Sequence, residues 1–138
     1  MSDESRDHDR ITDDLAEGVR LFNEGEYFEA HEVWEDEWHG VVGDNKNFLQ
    51  GLIQTAAVYV HLTRGNPEGV RSLSTSALIY LEEIPSTYRG IDVDYLRRIN
   101  REAKRRARSS ERDGTELILR EPELSLDLDT DRDRDRDQ

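Results

Sequence analysis

Along most of this chain apolar residues recur at intervals of three and four, the spacing that places side chains on one face of an α-helix. Leu15, Val19 and Phe22 form the first such stripe. Thr12 stands before it as an N-cap, with Asp13 and Asp14 in the turn where carboxylates suit the helix dipole. Asn23-Glu24-Gly25 interrupts the pattern, and so short a break turns the next helix back antiparallel to the first. That second helix carries Tyr27, Ala30, His31, Trp34, Glu35 and Trp38 on one face. After a loop at Val41-Val42-Gly43-Asp44-Asn45, the run Phe48 to Leu62 is the most apolar in the chain. Its Leu49, Leu52, Ile53, Ala56, Ala57 and Val60 cover most of a helix circumference, which predicts a central helix covered on several sides.

Arg64-Gly65-Asn66-Pro67 reads as a junction, with Gly as terminator, Asn as N-cap and Pro at the first helical position. Val70, Leu73, Ala77, Leu81 and Ile84 give a fourth helix its inner face, and Pro85 stops it. Residues 84–90 read as a loop, and Asp92 caps a fifth helix with Val93, Leu96, Ile99 and Ala103 inward. The expected fold is all-α, an antiparallel bundle of about five helices built from two helical hairpins plus a C-terminal helix. It occupies residues 11–108. Residues 109–128 read as a linker and a partly docked extended segment, because Leu117, Leu119, Leu124, Leu126 and Leu128 alternate with polar residues. Residues 1–10 and the Asp/Arg tail 129–138 lack apolar content and are expected to be disordered.

Composition narrows the function. The net charge is -13 over 138 residues, 37% of them charged, and the lysines are Lys46 and Lys104 alone among many arginines. That style suits a very salty cytoplasm, where screening over a few ångströms removes the self-repulsion of an acidic surface. With no cysteine, disulfides, thiolate metal sites and thiol nucleophiles are excluded. No apolar run approaches the ~20 residues of a membrane span, and Met1 to Arg10 is charged rather than signal-like. A cytoplasmic location is the expectation. The basic concentration Arg97, Arg98, Arg101, Lys104, Arg105, Arg106 and Arg108 lacks interleaved aromatics, so it reads as neutralising the acidic surface rather than binding nucleic acid.

The second helix holds the candidate chemistry. His31 and Glu35 share a face with Trp34 and Trp38, which predicts that both point inward and need partners. At i and i+4 they are neighbours able to bind one cation together. His61 on the central helix is the candidate third ligand, with Glu32 or Gln54 supporting and Tyr27, Trp34 and Trp38 lining the site. Nitrogen and oxygen ligands without sulfur fit zinc, manganese or ferrous iron. The competing reading is a buried cluster of His31, Glu35 and Gln54, hydrogen-bonded to one another and fixing helix register without metal. No Ser/His/Asp arrangement, phosphate loop or dinucleotide fingerprint is present.

Glu29-Ala30-His31-Glu32-x-Trp34-Glu35-x-x-Trp38, followed by Phe48-Leu49-Gln50-Gly51-Leu52-Ile53-Gln54 and by His61-x-x-x-Gly65-Asn66, resembles domain-of-unknown-function family 309, whose mark is His-x-x-x-Glu-x-x-Trp/Tyr. The resemblance covers roughly residues 12 to 100, and the acidic ends lie outside it. It implies an all-helical fold and a metal role for His31 and Glu35, and brings no substrate with it. Gly25-x-Tyr27-x-Glu29-Ala30 also aligns with Gly65-x-Pro67-x-Gly69-Val70, a faint repeat that resembles tetratricopeptide-type hairpins. Two functions follow as expectations: a small divalent-metal protein suited to hydrolysis, or a helical-hairpin module that binds another protein or a second copy of itself.

Overall fold

The computed structural model describes residues 11–127. The expectations for residues 1–10 and 129–138, and for Leu128, lie outside the described residues. Within them the chain forms α1 (Asp13–Asn23), α2 (Tyr27–Trp38), α3 (Gly43–Thr63), α4 (Pro67–Leu81) and α5 (Val93–Asp113), with a small antiparallel pair, β1 (Thr87–Tyr88) and β2 (Ile91–Asp92), before α5. The fold is an all-α bundle in which each helix packs chiefly on its neighbours in sequence.

The helix starts follow from their caps. The Thr12 hydroxyl accepts from the Leu15 amide at 3.1 Å, Asn66 Oδ1 from Gly69 at 3.2 Å, and Asp92 Oδ1 from Tyr95 at 3.1 Å. The two hairpin junctions end their first helices in the same way. Gly25 and Gly65 both take the left-handed conformation, with φ of 84° and 65°. The next residue in each case reaches back five positions, Glu26 to the Leu21 carbonyl at 2.9 Å and Asn66 to the His61 carbonyl at 3.0 Å. This is one helix-terminating motif used twice.

In the core, Trp34 is fully buried between Phe22 of α1 and the neighbouring helices, and its indole N–H donates to the Leu15 carbonyl at 3.3 Å. Gly18 makes room for it, since any β-carbon there would overlap the indole ring. α3 buries Phe48, Leu49, Leu52, Ile53, Ala56, Val58 and Tyr59, as a central helix must. One buried polar contact joins it to α5: Asn100 Nδ2 donates to Thr55 Oγ1 at 2.9 Å.

Three boundaries and one loop differ from the sequence expectation. α3 begins at Gly43 rather than Phe48, because its first turn is held by buried Asn45. α4 ends at Leu81 rather than Ile84; the Arg97 guanidinium collects the Leu81 and Ile84 carbonyls there and closes the helix end. α5 continues to Asp113, past the expected linker start at Ser109, secured by the Arg71–Glu111 ion pair at 2.6 Å and ended by Gly114 at φ 74°. The expected loop contains the β1–β2 hairpin. Arg89 (φ 49°) and Gly90 (φ 79°) fill its two central positions, the positive-φ pair that matches strand twist.

Arg89 also centres a buried network. Its Nη2 lies 2.7 Å from Glu37 of α2 and 3.2 Å from Thr12, while Nη1 donates to Asn45 Oδ1 at 2.8 Å. The Thr12 hydroxyl donates to Glu37 at 2.6 Å. The start of α1, the end of α2, the start of α3 and the hairpin thus share one guanidinium. Replacing Arg89 with Met would leave Glu37 largely enclosed without its counter-charge, and we expect a loss of about 3 kcal/mol in urea unfolding. The double variant Arg89→Met, Glu37→Met should lose clearly less than the two single losses added together. Additive losses would show that the pair does not act as a unit.

Candidate functional site

His31 and Glu35 come close but do not form the inward-facing cluster expected of them. His31 Nε2 lies 3.6 Å from Glu35 Oε2, longer than a hydrogen bond, and the side chains are 25% and 45% exposed. The geometric cause is the helical step: Ala30 and Trp34 take the buried line of α2 and leave positions 31 and 35 at its margin. The His31 ring stacks on Phe28, centroids 5.8 Å apart, and its Nδ1 is buried without a hydrogen-bond partner. Gln54 does not join them; no hydrogen bond links its amide to either residue. Glu32 is exposed. Of the expected lining, Trp34 is enclosed in the core, Trp38 is half-buried under Lys46 at 4.2 Å, and Tyr27 packs against Phe22 and Tyr59.

His61 does reach the same place. It and His31 line a pocket of about 170 Å³ together with Phe28, Ala57, Val60 and Arg64. Its ring is already engaged: Nδ1 lies 2.9 Å from Asn66 Nδ2. The Asn66 carbonyl oxygen is committed to the Gly69 amide, so the amide nitrogen is the donor to Nδ1 and the neutral ring carries its proton on Nε2. A metal on Nε2 requires the other tautomer and the loss of that bond. Among the described residues, no group of three or more His, Cys, Asp or Glu side chains is arranged to hold a metal ion.

A second surface is better built. After Gly114 the chain runs back along the bundle, and residues 115–127 lie extended across it. Asn23, at the end of α1, grips this segment by its backbone: its Nδ2 donates to the Leu124 carbonyl and its Oδ1 accepts from the Leu124 amide, both at 2.8 Å. The Glu123 amide donates to the Tyr95 hydroxyl at 2.9 Å, the Asp127 amide to the Gly90 carbonyl at 2.8 Å, and Leu126 bridges Ile91. Pro122 and Leu124 are buried. Beneath the segment lie three tyrosines from three helices, Tyr27, Tyr59 and Tyr95. Burial raises the Tyr59 phenol well above its ordinary range, with Tyr95 and Tyr27 adding to the effect, and raises Tyr27 in the same way. Both remain neutral donors at any physiological pH.

Residues 15–73 match the family model described as a domain of unknown function, DUF309. Over that stretch the chain is similar to the DUF309 family. The match takes in α1 to α3 and the first half of α4, with His31, Glu35, Trp38 and His61 inside it, and leaves out α5 and the extended segment. An uncharacterized protein of Aquifex aeolicus is 29% identical over 84 residues, 60% of this chain and 25% of that protein. The chain therefore spans about a quarter of the length of that curated relative. No helix among the described residues is long and apolar enough to cross a membrane.

Sequence reasoning found the period-two leucines but not their receiver. Asn23 read only as a helix breaker, and Tyr95 and Arg89 carried no signal of their own. A lone Asn at a helix end is a common terminator, so only the leucine alternation in residues 117–126 could have prompted a search for a groove.

Proposed function

We propose that this chain is a helical-hairpin interaction module whose inner face holds an extended polypeptide, with the His31–Glu35 pair a minor feature of the α2 surface. The observation that carries this reading is the reciprocal pair of hydrogen bonds between Asn23 and the backbone of Leu124. An amide that meets both the N–H and the C=O of one residue recognises extended backbone whatever its side chain. Alternate apolar side chains then supply selectivity, which is the division of labour in peptide recognition by strand addition. Here the occupant is the chain's own segment, held at an effective concentration in the millimolar range for a short linker. A partner's segment has to compete with it.

The test uses the full chain and a fluorescent synthetic peptide of residues 115–127. A Leu124→Asp variant, whose own segment is weakened, should bind the peptide, and wild type should bind about tenfold more weakly because its segment competes. Adding Asn23→Ala to the variant should remove binding. Absence of peptide binding in a variant shown by circular dichroism to be folded would contradict the reading.

One observation favours a second reading, a divalent-metal site. His31 and His61 line one pocket, and His31 Nδ1 is buried without a hydrogen-bond partner. Zinc, manganese or iron would be held there by His31 and Glu35, with His61 joining once its ring releases Asn66 and Glu32 or Gln54 in support. Such an ion stabilises the folded state by mass action. After loading with each metal, chelator should lower the melting temperature of wild type and leave His31→Ala unchanged; equal melting temperatures with and without chelator in loaded wild type would exclude this reading.

A further inference from the structure

The extended segment is pinned by hydrogen bonds at one end and rests on the bundle through Leu117 and Leu119 at the other. Residues 122–127 are pinned by Asn23, Tyr95 and Gly90, whereas Ile118 is 61% exposed. Between residues 118–121 and α5 a pocket of about 680 Å³ remains, a volume within the range of small-molecule sites. Its floor is Tyr59, Tyr95 and Ile99, and Ile118 and Leu119 form the roof.

Two features of the pocket point to a ligand. The first is Tyr59, a buried residue that lines the pocket and whose hydroxyl makes no hydrogen bond to another described residue. An oxygen of a bound molecule would give that hydroxyl an acceptor in place of water. The second is the charge on its walls. Arg106 is paired with Glu102, but Arg98 lies over the Tyr95 ring at 5.2 Å, and neither Arg98 nor Arg120 forms an ion pair among the described residues. Exposed Glu121 is the remaining acid at the mouth. These two guanidinium groups stand beside an aromatic floor, on the walls of one pocket. The basic groove on the other side of α5, lined by Leu78, Arg101, Lys104, Arg105 and Arg108, lacks such a floor.

We infer that this pocket binds an organic anion with an apolar body, a carboxylate of alkyl or aryl type, with its head between Arg98 and Arg120, an oxygen accepting from Tyr59, and its body on Tyr95 and Ile99. This goes beyond the interaction-module reading and does not depend on it, because the pocket lies beside the gripped part of the segment. Since Ile118 and Leu119 are its roof, an occupant also favours the docked segment by mass action.

The experiment is calorimetric titration of the full-length protein with decanoate below its micelle concentration, with decanol and decyltrimethylammonium as controls. Decanoate should bind saturably at one per chain, the two controls at least about tenfold more weakly, the weight of one charge-assisted hydrogen bond. Arg98→Gln with Arg120→Gln, both on the surface and outside the core, should weaken decanoate about tenfold or more at unchanged melting temperature. Tyr59→Phe should weaken it several-fold. Ring resonances of Tyr59 and Tyr95 should shift on titration. No saturable binding, equal affinity for decanol or the cation, indifference to the arginine substitutions, or resonance shifts confined to the Leu78–Arg108 groove would each overturn the assignment.

Discussion

The Arg89 guanidinium is a full charge with no exposed side-chain surface, and a charge so placed persists only where its counter-charge and acceptors are built around it. Glu37, Asn45 and Thr12 supply them, and they come from the end of α2, the start of α3 and the start of α1. Two hairpins that could otherwise slide on apolar surfaces are thereby fixed at one end. The same residue occupies the turn of the β1–β2 hairpin, so the strand edge that receives Leu126 and Asp127 is fixed with them. The extended segment is positioned at that end by the network and further along by Asn23.

The division of the chain follows from this. The DUF309-matching residues 15–73 contribute Asn23, Tyr27 and Tyr59, one side of the groove. Tyr95, Arg98 and the segment itself come from outside the match. The hairpins supply a platform, and α5 with the segment decides what lies on it. Arg98 and Arg120 on the pocket walls belong to this second layer, and the Tyr59 hydroxyl to the platform beneath it.

Much of the platform was legible because helices and their ends are local. Thr12, Asn66 and Asp92 each act within three residues, and Gly25 and Gly65 need only their own turns. Periodicity put Trp34 on the inward side of α2 but misjudged His31 and Glu35, since a 100° step per residue separates the buried line from its margin by a single position. The start of α3 was missed because Asn45 is held by Arg89, 44 residues away, and no local pattern carries that information. The end of α5 was missed for the same kind of reason, its last turn being secured by Arg71 of α4. The leucine alternation announced an extended segment, yet its receiver is an Asn side chain 101 residues earlier.

Backbone amide hydrogen exchange at Leu124 reports on the grip itself, because that amide lies outside any helix or sheet and is bonded only to the Asn23 side chain. Clear protection is expected at Leu124 and at Asp127 in the wild-type chain, with loss of the Leu124 protection in Asn23→Ala while the amides of α3 keep theirs. Exchange at Leu124 in the wild type as fast as in an unstructured peptide would contradict the claim that the bundle grips an extended polypeptide.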